Sequence, residues 1–226
     1  MIDPQVVEVQ SQEEIDEMMV DKSSMDMVLV PCALVILLGY HLLLLYRVRR
    51  RPHTTVIGYE NHSKLAWVHR MARTAALALG VITDGVSAST TLASLCIALP
   101  SLIAVSGDTN QAAPATATTA KHASLLACFL AAFTCFVQSA GCYVHASFLV
   151  SALGSDDAPA SDLRRDVLRG GGFWSAGLRA LYVATALLAW VVFGPAAMLA
   201  CSVLTVAVLH LLDSNSTPLH RHQFTP

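Results

Sequence analysis

The chain has 226 residues, 54% of them hydrophobic and only 13% charged, with a net charge of −2 and a mean hydropathy of +0.55. Soluble domains carry about 25% charged residues, so this composition excludes a water-soluble monomer. It also excludes a wholly disordered chain, and the absence of a basic field excludes a general nucleic-acid binder.

Residues 1–26 hold Asp3, Glu8, Glu13, Glu14, Asp16, Glu17, Asp21 and Asp26 against a single base, Lys22. This reads as an acidic, disordered tail. It lacks the basic start of a signal peptide. The first apolar run, 27–46, contains no charge and would reach about 30 Å as a helix, the thickness of a hydrocarbon core. Arg47, Arg49, Arg50 and Arg51 close it.

The polar segment 47–73 follows. Within it Leu65, Trp67, Val68 and Met71 interleave with Lys64, His69, Arg70 and Arg73, the pattern of an interfacial helix. A second apolar run covers 74–105, interrupted by Asp84. The stretch 106–121 is rich in Ala, Thr and Gly and reads as a flexible loop. The third run covers 123–153. Residues 154–179 mix Asp and Arg with Gly170-Gly171-Gly172, read as a linker within a loop; no G-K-[ST] follows, so it is no phosphate loop. The last run, 180–212, has Gly194-Pro195 at its middle. It is too long for one straight span and too short for two, and reads as one helix that tilts or kinks at Pro195 with its first turns in the interface, or else as a re-entrant half-helix before Gly194-Pro195.

The expectation is therefore an all-α fold: an integral membrane four-helix bundle. Its spans are about 27–46, 76–104, 123–150 and 184–212, within a domain running from 27 to 213. A polar tail, 214–226, ends the chain. Bases near span ends stay cytoplasmic. Loops 47–73 and 154–179 hold eleven of the fourteen Lys and Arg residues, which puts both termini on the exoplasmic or lumenal side.

An ionisable group at membrane depth is a functional candidate. Asp84 stands about three turns into the second span, with Ala76, Gly80 and Ala88 at four-residue spacing. It reads either as a proton or cation site or as a carboxylate bonded to a neighbouring helix. Gln138, Cys142 and His145 share one face of the third span, opposite a ladder of Ala127, Ala131, Cys135 and Ser139. Asp84, Gln138 and His145 form the candidate intramembrane polar site. His41 and His210 fall at opposite membrane faces on this topology, which argues against a metal site. Arg47, Arg49, Arg50 and Arg51 are candidate contacts for anionic lipid headgroups. Cys32, Cys96, Cys128, Cys135, Cys142 and Cys201 all lie in apolar stretches without zinc spacing and read as packing residues.

Three separated stretches carry a resemblance. They are Tyr40-His41 with Arg51-Pro52-His53-Thr54-Thr55-Val56-Ile57-Gly58-Tyr59-Glu60 and Trp67-Val68; Cys128 to Phe148, including Val137-Gln138-Ser139 and His145-Ala146-Ser147-Phe148; and Phe173 to Asp213, including Gly177-Leu178-Arg179-Ala180-Leu181-Tyr182 and Phe193-Gly194-Pro195. Together, over about 28–213, they resemble a plant and bacterial membrane family known as domain of unknown function 599. The resemblance implies a small multi-span membrane protein and carries over no catalytic residue. Thr83-Asp84 stands where the family tends to have Arg-Asn.

Three functions fit these residues. One is a non-enzymatic scaffold or accessory subunit, with the lipid bilayer, anionic headgroups and a homo-oligomer or other membrane subunits as partners. The second is a subunit of an oligomeric transporter or channel with an intramembrane polar path. The third is a membrane enzyme with an interfacial site built on His41, His53 or His62, although no catalytic grouping is visible. Nothing in the residues implies a cofactor or a metal.

Overall fold

A computed structural model describes residues 4–51, 55–71, 75–106, 115–152 and 160–213. Over the described residues the fold is all-α, in six helices: α1 (Pro4–Arg50), α2 (Val56–Met71), α3 (Ala75–Ser106), α4 (Ala115–Ala152), α5 (Ala160–Phe193) and α6 (Pro195–Asp213). Five of them contain stretches long and apolar enough to cross a membrane: Met25–Arg50, Ala76–Ile103, Thr119–Ala152, Ser161–Phe193 and Pro195–Asp213. Where four spans are expected, the described residues hold five candidate spans. The expected C-terminal tail, 214–226, lies outside the described residues.

Two further expectations change. The acidic segment read as disordered is helical from Pro4, continuous with the first apolar run. It contains no Gly and no Pro between Gln5 and Val30, and Glu, Gln and Met are good helix formers. A helix already nucleated by the apolar run extends into it one hydrogen bond at a time. The segment 154–179, read as a loop with a glycine linker, is helical from Ala160 onward, glycines included.

The larger correction concerns the last apolar run. It is a hairpin rather than a kinked helix. Gly194, at φ 94°, is the one described residue between α5 and α6. Its N–H donates to the Trp190 carbonyl at 3.0 Å, and its own carbonyl accepts from the Met198 N–H at 3.2 Å. It therefore closes α5 as a left-handed cap and opens α6 as an N-cap, with Pro195 in the first helical position. A side chain is strained at this φ, so glycine is required. The reversal brings Asp213 to 2.7 Å from Arg179. A continuous helix would hold these residues about 51 Å apart.

Helix α1 packs on α6, α6 on α5, α5 on α4 and α4 on α3, while α2 lies mainly across α5. Two cores result. The first joins Val30 and Ala33, Ala93 and Cys96, Leu125, Phe129, Ala132 and Phe136, Ala184 and Leu187, and Met198. All five long helices contribute to it. The second joins Val68, Ala78, Ile82, Ala146, Val150, Leu163 and Val167, from α2, the start of α3, the end of α4 and the start of α5. Trp67 packs against this second core, so α2 turns those apolar residues inward.

Rise along the helices gives these cores their levels. The apolar run of α1 covers about 30 Å between Asp26 and Arg47. Helices α4 and α5, at 38 and 34 residues, are about 57 and 51 Å long. They overshoot a hydrocarbon core by about 20 Å. The second core lies in that overshoot, as a cap on the arginine end of the bundle. Around the first core, large apolar side chains face outward: Leu42 and Leu45 on α1, Leu102 on α3, Leu130 on α4, Leu204 and Leu211 on α6. So large an apolar exterior suits lipid and does not suit water.

Candidate functional site

The polar side chains within the bundle gather in three layers. The innermost joins α1, α5 and α6. Arg179 grips Asp213 with both ends of its guanidinium, Nη1 to Oδ2 at 2.8 Å and Nη2 to Oδ1 at 2.7 Å. The Tyr40 hydroxyl donates to Oδ2 at 2.7 Å. The Arg179 and Asp213 side chains are only 18% and 12% exposed. The fork geometry suits a carboxylate, and charge-assisted bonds of this kind strengthen in apolar surroundings.

His41 stands beside this layer. Its ring lies edge-on to Tyr40, with centroids 5.8 Å apart. Nδ1 is 2.7 Å from the Leu37 carbonyl. Because a carbonyl only accepts, Nδ1 carries the proton. Nε2 is buried and makes no hydrogen bond with the described residues.

A second layer lies at the other end of α1. Asp26 accepts from Lys121 Nζ and from Trp190 Nε1, each at 3.1 Å. The ammonium of Lys121 also lies 4.7 Å from the Trp190 ring centroid, a cation–π contact. Helix α1 is thus held by polar contacts at two levels, about 21 Å apart along its axis.

The third layer is neutral and binds α3, α4 and α5. The Ser139 hydroxyl donates to the Gly170 carbonyl at 2.9 Å, and Ser89 Oγ lies 3.2 Å from Ser139 Oγ and 2.7 Å from the Gly85 carbonyl. Both serines are fully buried. The Tyr143 ring fills the space between Gly85 and Gly170. A Cβ at either glycine would meet ring atoms at 3.2 or 3.1 Å. Two turns further along α5, Gly177 lies so close to Phe136 that a Cβ would come within 2.8 Å of it. Mid-helix glycine costs about 1 kcal/mol relative to alanine; here that cost is offset by ring-to-backbone packing.

The sequence-predicted residues fall elsewhere. Asp84 precedes Gly85 and is exposed on α3, with no side-chain hydrogen bond or ion pair among the described residues. Its level is that of Gly170 and Arg169, about 15 Å beyond Arg179. Arg50 lies about as far beyond Tyr40, so Asp84 stands at the arginine end rather than at mid-bundle. Gln138 is exposed on α4. His145 is 65% exposed and pairs through Nδ1 with Asp166 of α5, at the cap. Among the described residues no hydrogen bond or ion pair joins Asp84, Gln138 and His145 to one another; they look outward from the bundle. Arg47, Arg49, Arg50 and Arg51 are exposed together at the end of α1. On α4, the packing face is Leu125, Phe129, Ala132, Phe136 and Ser139; of the expected small-residue ladder Ser139 lies on this face and Cys135 is half-buried, while Ala127 and Ala131 are exposed. All six cysteines are free; Cys96 is buried and Cys32 exposed. Among the described residues no group of three or more His, Cys, Asp or Glu side chains is placed to hold a metal ion. The α6 reversal also brings the last turn of α6, with His210, to the end of the bundle where His41 lies, correcting their expected placement at opposite faces.

The sequence reading missed Arg179 and Asp213. Arg179 looked like the end of a cytoplasmic loop and Asp213 like a terminal residue, since nothing in their spacing announces a contact across a hairpin. The available signal was that Tyr40, Arg179 and Asp213 all fall within the stretches that carry the family resemblance.

A family model described as a protein of unknown function, DUF599, matches residues 28–218. No curated protein and no solved structure matches the chain. The match covers most of the chain, which belongs to this family.

Proposed function

We propose that the chain is a non-enzymatic multi-pass membrane protein, a scaffold or accessory subunit whose five helices present an arginine-edged cap at the cytoplasmic surface. One observation carries this reading. Among the described residues between Asp26 and the arginine level, Arg179 and Asp213 are the charged ones, and they neutralise each other. Charges inside the apolar slab are spent on joining helices, which is what a structural bundle requires.

The orientation follows from charge. Arg47, Arg49, Arg50, Arg51, Lys64, Arg164, Arg165 and Arg169 belong to the capped end, which the positive-inside rule assigns to the cytoplasm. Five crossings then leave the N-terminus exoplasmic or lumenal and the C-terminus cytoplasmic. Arg47, Arg49, Arg50 and Arg51 would contact anionic headgroups, at about 1 kcal/mol for each base near the surface. A transport path through Asp84, Gln138 and His145 would have to run between copies of the chain, because all three side chains lie on the outside.

Reconstitution in sealed liposomes tests the reading. The protein is expected to resist carbonate extraction and to leave ion permeability at the level of empty vesicles. A cation or proton flux that falls with Asp84→Asn or His145→Ala would replace the scaffold with the transporter. Maleimide labelling of a cysteine placed after Asp213 should occur only from the cytoplasmic side; labelling from the opposite side would reverse the assigned direction of α6.

A further inference from the structure

We propose that Tyr40, His41 and Arg179 form an oxyanion-binding site for the phosphate or carboxylate of an anionic lipid, and that Asp213 is its built-in occupant. The inference rests on the membrane reading above and goes beyond it.

The Asp213 carboxylate is held as a ligand's would be. Three donor groups converge on its two oxygens: both ends of the Arg179 guanidinium and the Tyr40 hydroxyl. This is the donor set used for carboxylates and phosphates, a planar fork reinforced by a neutral hydroxyl. Asp213 is the last residue of α6. The α6 residues that are buried, Pro195, Met198, Ser202 and Leu209, all precede it. The carboxylate can therefore swing away while the buried face of α6 stays packed.

The corner also has one more polar atom than Asp213 uses. His41 Nε2 is buried with no hydrogen bond to the described residues, and its ring stands edge-on to Tyr40, the phenol that donates to Asp213. In the neutral ring Nε2 accepts, from a phosphate hydroxyl or a glycerol hydroxyl; protonated, it donates to a further oxygen. A tetrahedral phosphate, or a carboxylate with an adjacent hydroxyl, would use this atom where a lone aspartate does not.

Depth and charge balance agree with this assignment. The Arg179 side chain leans toward the start of α5, which is the arginine end, so its guanidinium lies within a few turns of the headgroup level. Exchange of Asp213 for a lipid anion keeps the corner neutral: one negative charge leaves the guanidinium as another arrives. The apolar slab therefore gains no net charge, the quantity that is costly there.

Native mass spectrometry of the purified full chain, with phosphatidic acid, phosphatidylcholine or inorganic phosphate added, tests the site. Asp213→Asn removes the competing charge and is expected to retain phosphatidic acid roughly tenfold more than the parent protein, the order of one charge-assisted contact. That gain should vanish in Asp213→Asn with Arg179→Gln and survive Arg49→Gln with Arg50→Gln. No gain, or a gain that persists without Arg179, overturns the proposal. A gain with inorganic phosphate as well as lipid leaves the oxyanion site standing and assigns it to the free ion; a gain with lipid alone assigns it to the headgroup. Should Asp213→Asn not fold, the parent protein is expected to melt higher in phosphatidic acid than in phosphatidylcholine, by a margin that shrinks in Tyr40→Phe with His41→Ala. An unchanged margin overturns it. Failure of the membrane reading would register separately, as release of the parent protein by carbonate.

Discussion

The two charged clasps on α1 differ in chemistry as they differ in level. At Asp26 the partners are a lysine and an indole, each at 3.1 Å. At Asp213 they are an arginine fork and a phenol, at 2.7–2.8 Å. Lysine suits the first position because its ammonium is strongly hydrated and the Asp26 level borders the polar edge of the slab. Arginine suits the second because its weakly hydrated, planar group gives up less water and satisfies two carboxylate oxygens at once. Depth selects the fork; proximity to water permits the point charge.

Substitutions can break this contrast, and the largest effect belongs to the inner clasp. Arg179→Gln or Asp213→Ala leaves its partner charged and unpaired in apolar surroundings, a loss of about 3–5 kcal/mol. Thermal unfolding in detergent should show a large drop for either change, mostly recovered in Arg179→Gln with Asp213→Asn. A double variant as unstable as the singles would mean that the pair is not the source of the loss. Next comes Gly177→Ala, whose new Cβ would lie 2.8 Å from the Phe136 ring; overpacking of this kind costs about 1–3 kcal/mol. Thermal unfolding should show a smaller drop than for Arg179→Gln; a drop as large would erase the ranking.

At the outer clasp, Asp26→Asn keeps a weaker acceptor and should cost about 1 kcal/mol or less. Its effect should shrink at high salt, whereas that of Arg179→Gln should not; equal salt responses would erase the distinction of level. Tyr40→Phe removes one neutral donor and should cost about 1 kcal/mol. Smallest is Glu60→Gln. It ends the 2.8 Å pair with Lys64, whose partners are 50% and 22% exposed, and should move the melting transition by no more than the ~0.5 kcal/mol of a helix-surface pair.

Much of the fold can be read in the residues, and the exceptions share a cause. The apolar runs beneath α1, α3 and α4 are bounded by polar segments, so hydropathy alone finds their helices. The run 180–212 misleads because its reversal needs no polar loop: Gly194 alone performs it. Length arithmetic then favours one span, since the missing half of α5 lies upstream among Gly170, Gly171, Gly172 and Arg179, residues whose local preferences point to a loop. Tertiary packing overrides those preferences, with Tyr143 against Gly170 and Phe136 against Gly177. The candidate site fared less well. Asp84 attracts attention as a charge within a long apolar run, yet α3 extends into the cap and carries Asp84 to the arginine level. The charged pair that does lie within the slab is divided, on the sequence reading, between a loop, 154–179, and the last residue of the helical domain, on opposite sides of the hairpin.

That hairpin has a consequence for biogenesis. When α5 leaves the ribosome, Arg179 has no counter-charge, because Asp213 is made 34 residues later. Insertion of an unpaired arginine into the bilayer costs roughly 2.5–3.5 kcal/mol on translocon scales. An α5 that waits beside the insertion machinery until α6 emerges avoids that cost, the two helices entering the lipid as one neutral unit. A chain truncated before Asp213 should stall at that step, with α5 still accessible to the machinery that α1, α3 and α4 have already left.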